Sequence, residues 1–337
     1  MANPVLIEVT RGPLVESFHT GSLALVRPDG EIVLAMGDVT SDVFPRSAIK
    51  ALQAIPLVES GAADAFGYGA PEIALACASH TGTQRHVDLA GDMLKALELD
   101  TNALGCGIHP PLAMPAAKAL WTSGGEATQL HNNCSGKHAG MLATAKHFGD
   151  SLDEYWLPSH PVQQRVHDTL SELCDRELGN NVMGFDGCSV PNWAMPLQVM
   201  AQIFAKVTTG RGMSGRRRDA VNRICHACWA EPELVAGPGR ADSVIMRAVP
   251  GRVFMKTGAE GVYCGALPEA ELGFALKIDD GLTRASAGAA IALIETLLPD
   301  ARGLMKRRTI KSWRGIEVGE IRTGPDLADA LAKLACQ

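Results

Sequence analysis

Strand-forming sequence lies at the two ends of this chain, with a long helical stretch between them, and that separation constrains the fold more than any other feature. Residues 5–9 read as a strand, and 22–26 and 31–35 flank Pro28-Asp29-Gly30, a sequence that closes a hairpin. Strand character returns at 253–256, 261–266 and 274–278, and again at 316–321. Helical periodicity marks 84–97, 161–178 and about 196–230, and an alanine-rich helix covers 284–298. A short apolar run at 72–79 (EIALACAS) reads as a buried strand. Neither end can bury its strands alone, so the two are expected to share one antiparallel sheet flanked by helices. The fold class is α/β (α+β), with a single catalytic domain over 1–337. Its sheet region is expected at 1–80 and 240–337 and a mostly helical subdomain at 81–239. There is no internal repeat, and the Gly-rich residues 236–239 read as a surface loop.

Of the 337 residues 46% are hydrophobic, which supplies a large core. The formal net charge of -6 argues against nucleic acid as a partner, because such proteins carry a basic face. The one dense basic run, Arg216-Arg217-Arg218, reads as a solvated helix face. No window offers the ~18 uninterrupted apolar residues of a membrane span, and the opening Met1-Ala2-Asn3-Pro4 lacks a basic stretch followed by an apolar one. A cytoplasmic location without membrane contact is therefore expected. The nine cysteines are odd in number and scattered, which suits a reducing compartment without a disulfide framework.

Phe44-Pro45-Arg46-Ser47-Ala48-Ile49-Lys50 places Ser-x-x-Lys at an expected helix start, with Pro56 kinking or breaking that helix further on. Positions i and i+3 share a helix face, so Lys50 is expected to reach the Ser47 hydroxyl. A serine attacks once a base takes its proton, and a lysine acts as that base when desolvated or placed beside another cation. Ser-x-x-Lys alone fits equally a capping serine with an exposed lysine. Two further segments add to it: Ser79-His80-Thr81-Gly82, and Lys256-Thr257-Gly258 directly after a strand. Serine penicillin-binding proteins and class A β-lactamases carry Ser-x-x-Lys, a middle serine motif and Lys-Thr-Gly in that order. The middle motif here departs from their Ser-x-Asn. If Lys256 lies near Lys50, each cation lowers the other's proton affinity, and two pairs, Ser47/Lys50 and Ser79/Lys256, are expected to pass protons in tandem.

Two other segments carry unusual polar residues, 131–138 (HNNCSGKH) and 185–191 (FDGCSVP). The first is too polar for an expected core helix. Spacing alone leaves Cys134 and Cys188 open, either as ligands or as small buried hydrophobes. Cys225-His226-Ala227-Cys228 has no partner pair and carries no expected role.

Taken together, RSAIKALQ (46–53), CASHTG (77–82), HNNCSGKHAGML (131–142), GFDGCSVPNWAMPL (184–197) and KTGAEGVY (256–263) resemble the Rhizobium etli-type (class 3) L-asparaginases, in the same order and over essentially the whole chain. The resemblance implies a serine-β-lactamase-like fold, a homodimer and hydrolysis of L-asparagine to L-aspartate and ammonia. It implies Ser47 and Lys50 as the nucleophile motif, Ser79 as the second serine and Lys256 as the distant lysine. It implies one zinc per chain on Cys134, Lys137 and Cys188, with Asp186 adjacent and a fourth position open. Beside this set, Arg46 is expected to meet the substrate carboxylate, His80 to contact substrate, and Glu260 to meet the substrate ammonium or Lys256. The rival readings are a serine hydrolase of the same fold acting on β-lactams or peptides, and a zinc-binding protein without catalysis.

Overall fold

The computed structural model describes residues 2–305 and 308–336. Among these, eight strands form the main sheet. The first end supplies β1 (Val5–Arg11), β2 (Leu14–Val26) and β3 (Ile32–Met36). The other supplies β4 (Phe254–Thr257), β5 (Val262–Leu267), β6 (Leu272–Ile278), β7 (Thr309–Lys311) and β8 (Glu317–Thr323). The order is β7-β8-β1-β2-β6-β5-β4, with β3 also on β2, and every pairing is antiparallel.

The 13-residue β2 joins the two ends of the chain. Its first half pairs with β1, with Glu8 opposite Phe18. Its second half lies between β6 and β3, with Ala24 opposite Ala275 and Leu25 opposite Leu34. Two helices cover opposite faces. Gly273 of β6, opposite Val26, lies against the backbone of Ala201 and Ala205 in the helix Leu197–Thr209. His19, on the other parity of β2, bonds Arg284 in the helix Thr283–Leu297. The helix Leu197–Thr209 thus belongs to the sheet's packing although it falls within the middle segment.

The rest of the middle is helical, with two short two-stranded pairings: Asp42–Val43 with Met195–Pro196, and Met183–Phe185 with Pro191–Trp193. The 196–230 periodicity resolves into two helices, Leu197–Thr209 and Gly215–Ala230, because Gly210 takes a left-handed conformation (φ 67°) that ends the first. Ser47 lies in a single 3₁₀ turn, Arg46–Ile49, and Lys50 opens the helix Lys50–Gln53. Pro56 then sits in the first turn of the next helix, Ile55–Glu59, so the expected helix is broken there.

Four expectations need correction. Residues 72–79 are buried but not a strand: the helix Ala70–Ala76 forms there, with Pro71 in its first turn and the Glu72 carboxylate accepting the Gly69 N–H at 2.8 Å. A short apolar run does not by itself distinguish strand from buried helix, and the alanines decide. The polar run at 131–138 enters a deeply buried helix, Ser135–Phe148, where every residue from Ser135 to Ala145 is buried. Its Gly and Ala residues let neighbours approach on all sides, so it shows no polar face. In the 236–239 loop, Ala236 and Gly237 are buried, with Gly237 packed against Thr81. Arg217 is also buried, bonded to Glu59 at 2.8 Å, while its neighbours Arg216 and Arg218 are exposed.

Gly136 marks the closest approach of the two site-bearing helices. A Cβ there would lie 2.3 Å from the Leu75 carbonyl oxygen. Backbone does not yield as a side chain would, so Gly136→Ala is expected to destabilise the fold by about 1–3 kcal/mol. The measurement is the urea midpoint, and an unchanged midpoint would show that the helices can separate freely.

Candidate active site

Four segments converge behind β4. The 3₁₀ turn carries Ser47, the end of the helix Ala70–Ala76 leads to Ser79, the start of the helix Ser135–Phe148 brings Cys134 and Lys137, and the Met183–Phe185/Pro191–Trp193 hairpin brings Asp186 and Cys188. Cys134 is the N-cap of its helix and Lys137 lies one turn on, so both project from one face. The hairpin tip is fixed by Asp186 N–H to the Val190 carbonyl (2.9 Å) and Ser189 N–H to the Asp186 carbonyl (2.9 Å). The segment bearing Ser79 is clamped on both sides, by Ser79 N–H to the Val235 carbonyl (2.9 Å) and His80 N–H to the Asn133 carbonyl (3.2 Å).

Lys50 is the centre of the site and is fully buried. Its Nζ donates to the Ala78 carbonyl (2.5 Å), the Ser79 Oγ (2.9 Å), the Cys134 Sγ (3.0 Å) and the Asn133 carbonyl (3.4 Å). The sequence pairing of Lys50 with Ser47 is therefore not the hydrogen bond formed; Lys50 bonds Ser79. The i, i+3 register is kept, since the Lys50 N–H donates to the Ser47 carbonyl, but the Lys50 ammonium is drawn to the acceptors at 78–79 and 133–134. The Ser47 hydroxyl makes no hydrogen bond among the described residues, and Ser47 and Ser79 are each 9% exposed.

Lys256, also fully buried, donates to the Thr257 carbonyl at 2.9 Å. Burial lowers its pKa to about 7; the nearby Asp242 carboxylate opposes that shift, and the Lys50 and Arg240 charges add to it. Gly258 packs against the Pro45 carbonyl and Ala48, which sets the Lys-Thr-Gly segment on the turn that holds Ser47.

Asp242 and Asn133 received no role from the sequence. Asp242 is 1% exposed, accepts the Thr257 N–H (3.2 Å) and takes the Tyr263 hydroxyl on its other oxygen. Nothing in its local sequence marks it, since it reaches Lys256 only through the fold. Asn133, inside the polar run, offers its carbonyl to both Lys50 and His80.

The cysteines meet as a pair. Lys137 Nζ donates to the Cys188 Sγ at 2.9 Å. A hydrogen bond from Cys134, with the Lys137 charge, holds the Cys188 thiol well below its ordinary pKa, while that same bond and burial push Cys134 up to about 12. Burial alone would lower the Lys137 pKa, but Cys188, Cys134 and Asp186 outweigh it and keep the ammonium. Among the described residues no three His, Cys, Asp or Glu side chains converge as a metal set. A metal here would take two sulfurs and the Lys137 amine, and these three groups are close enough together to fit one.

The remaining expected residues fall outside direct reach of a substrate or beside it. Arg46 bonds Asp186 through Nε at 2.8 Å, is 26% exposed in its side chain, and has a left-handed backbone (φ 51°) just before Ser47. That strain persists where surrounding bonds hold it. Asp186 is kept below its ordinary pKa: burial would raise it, but the Lys137 charge and the Arg46 bond prevail. His80, expected to contact substrate, is fully buried: Nδ1 accepts the Gly82 N–H (3.1 Å), Nε2 bonds the Ser135 Oγ (2.9 Å), and the ring stacks on His86. With both nitrogens engaged it positions the Ser79 segment from behind. Glu260 is exposed in the β4–β5 turn, with its carboxylate toward Gly281 and its carbonyl accepting Lys277.

A sequence profile of the family described as L-asparaginase II matches residues 7–323. The chain belongs to the L-asparaginase II family. That membership makes it an asparaginase-type amidohydrolase acting on a small molecule. No curated protein matches it in sequence. Among solved structures, a β-lactamase from Mycobacterium bovis is 13% identical, with 81% of this chain and 93% of that one covered and a TM-score of 0.40. The native form of the protein called Mglu is 15% identical, with 82% and 63% covered and a TM-score of 0.47. A β-lactamase from Sphaerobacter thermophilus is 12% identical, with 85% and 89% covered and a TM-score of 0.38. No helix among the described residues of this family member is long and apolar enough to cross a membrane.

The lysine environment fixes a pH dependence. If neutral Lys256 is the base, kcat/KM rises through about pH 7 and falls below it as the ammonium forms. The Asp242 charge favours that ammonium, so Asp242→Asn is expected to move the acid limb to lower pH. A pH–rate series on both proteins checks this, and a limb that stays in place or moves upward contradicts it.

Proposed function

We propose that this L-asparaginase II family member hydrolyses L-asparagine to L-aspartate and ammonia as a Rhizobium etli-type enzyme, with Ser47 as nucleophile. The observation that carries the reading is the pair of completely buried lysines behind two barely exposed serines, Ser47 and Ser79. Family membership over residues 7–323 supplies the substrate class.

In this reading Lys256, held near its neutral point, accepts the Ser47 proton as the hydroxyl attacks the side-chain amide carbon. Lys50 does not need to leave its shell of acceptors. It holds the Ser79 hydroxyl and supplies positive charge beside the reacting carbonyl, and Ser79 carries a proton toward the departing ammonia. Ser79 gives its own proton to the leaving nitrogen as the C–N bond breaks and takes one from Lys50 Nζ; water then attacks the acyl-serine, its proton returns to Lys50 through Ser79, and Lys256 gives its proton back to the departing Ser47 oxygen as aspartate is released. Arg46, partly exposed and oriented by Asp186, meets the substrate carboxylate.

Zinc, one per chain, is proposed on Cys134, Lys137 and Cys188, with Asp186 adjacent. When bound, it supplies a Lewis-acidic charge that orients the substrate. Lys137 must lose its proton to become a ligand, so zinc affinity is expected to increase with pH. A homodimer and a cytoplasmic location complete the proposal.

The decisive assay is ammonia release from L-asparagine, with L-glutamine and nitrocefin in parallel. Release from asparagine without nitrocefin hydrolysis is expected. Ser47→Ala is expected to lower kcat by at least about a thousandfold while leaving the fold intact. A variant that keeps more than about a tenth of the activity would remove Ser47 as nucleophile. Elemental analysis is expected to give about one zinc per chain, lost in Cys134→Ala and Cys188→Ala. Equal zinc in all three proteins would mean that these cysteines are not ligands.

A further inference from the structure

A separate cavity of about 200 Å³ lies beyond β4 and β5. Thr257 and Tyr263, which are opposite each other in the sheet, line it. They have the opposite strand parity to Lys256 and Cys264, so the cavity is on the other face of the strands from Lys256. Of its lining, Asp242 and Arg240 bear on the Lys256 charge, and no residue there is a reacting group of the proposed chemistry.

Three arginines, Arg240, Arg284 and Arg308, line this one space. None of them has a carboxylate within ion-pair distance among the described residues, although most arginines of the chain do. Arg284 instead donates to His19 Nε2 (3.1 Å), whose Nδ1 meets the Asp280 carboxylate (2.5 Å), and to Ser17 Oγ (3.5 Å), and Arg308 bonds the Arg284 carbonyl. Arg240 has no side-chain bond among the described residues. Burial lowers the Arg308 pKa and no anion opposes it. The carboxylate lining the cavity, Asp242, is already committed to the Thr257 N–H and the Tyr263 hydroxyl. Arg284 is exposed and Arg240 and Arg308 are half-buried; Glu16 and Asp280 act on Arg284 from outside the cavity and Asp242 is the carboxylate inside it, so the three guanidinium groups outnumber the carboxylates that line this space. The helices Ala241–Ala248 and Thr283–Leu297 both begin at the same cavity, and neither has a side-chain cap on its first-turn N–H groups.

We propose that this cavity binds a small dianion, with Arg240, Arg284 and Arg308 as its ligands. The ligand class is a phosphate group or a short dicarboxylate. Either neutralises most of the three positive charges, fits a space of this size and meets guanidinium groups in bidentate geometry. The inference does not depend on the proposed substrate.

The test is isothermal titration of the full chain with inorganic phosphate and, separately, with succinate, against chloride at equal ionic strength. Thermal unfolding is followed in the same solutions, because a ligand that binds the folded state raises the midpoint. One site per chain is expected for at least one of the two ions, and the stronger of them identifies the source as phosphate or dicarboxylate. Arg240→Gln, Arg284→Gln and Arg308→Gln are each expected to weaken that binding by at least about tenfold. Arg240→Gln is the control for folding, since its side chain makes no bond that the fold would lose. Its midpoint without ligand should match the wild type while its response to ligand falls. Neither ion binding above chloride, or binding at wild-type strength in all three variants, would overturn the site.

Discussion

Two lysine side chains lie with no solvent exposure in one site, and the surrounding structure has to accommodate their charge. A buried ammonium is costly without acceptors, and a second cation beside it is costlier still. The fold resolves this unequally. Lys50 gathers four acceptors from two separate segments, while Lys256 has one carbonyl and a depressed pKa. That asymmetry gives one lysine that donates and one that accepts, from a single residue type.

Most of the architecture serves this arrangement. The acceptors for Lys50 come from the ends of two helices, Ala70–Ala76 and Ser135–Phe148, which Gly136 allows into near contact. Lys256 is delivered by β4 at the sheet edge, and β2 ties that C-terminal group of strands to the N-terminal one. Cys134 of the thiol pair accepts from Lys50 and lies within electrostatic reach of Lys256, so the charge state of the sulfurs and of the lysines is linked.

The sheet was legible in the sequence because its strands are short apolar runs bounded by turn residues, with an explicit turn at Pro28-Asp29-Gly30. The helix at 70–76 was not, since a short apolar run carries no periodicity that separates the two structures. The polar segment before Lys137 misled for the opposite reason: burial of polar residues there depends on partners that sequence does not display, such as His80 for Ser135. The same limit applies to the site. Its chemistry-bearing residues stood out as motifs, but the pairing of Lys50 with Ser79 and the placement of Asp242 beside Lys256 exist only after folding. His80 looked like a substrate contact because it follows Ser79, yet the turn after the helix directs it inward.

The most direct test of the central claim is an NMR titration of the lysine side chains in protein labelled at the lysine ε-carbon, with Lys256→Met assigning the signal. The account predicts that the Lys256 signal titrates near pH 7. Titration near the ordinary lysine value of 10.5 would contradict it, because Lys256 would then be charged and unable to accept a proton at neutral pH.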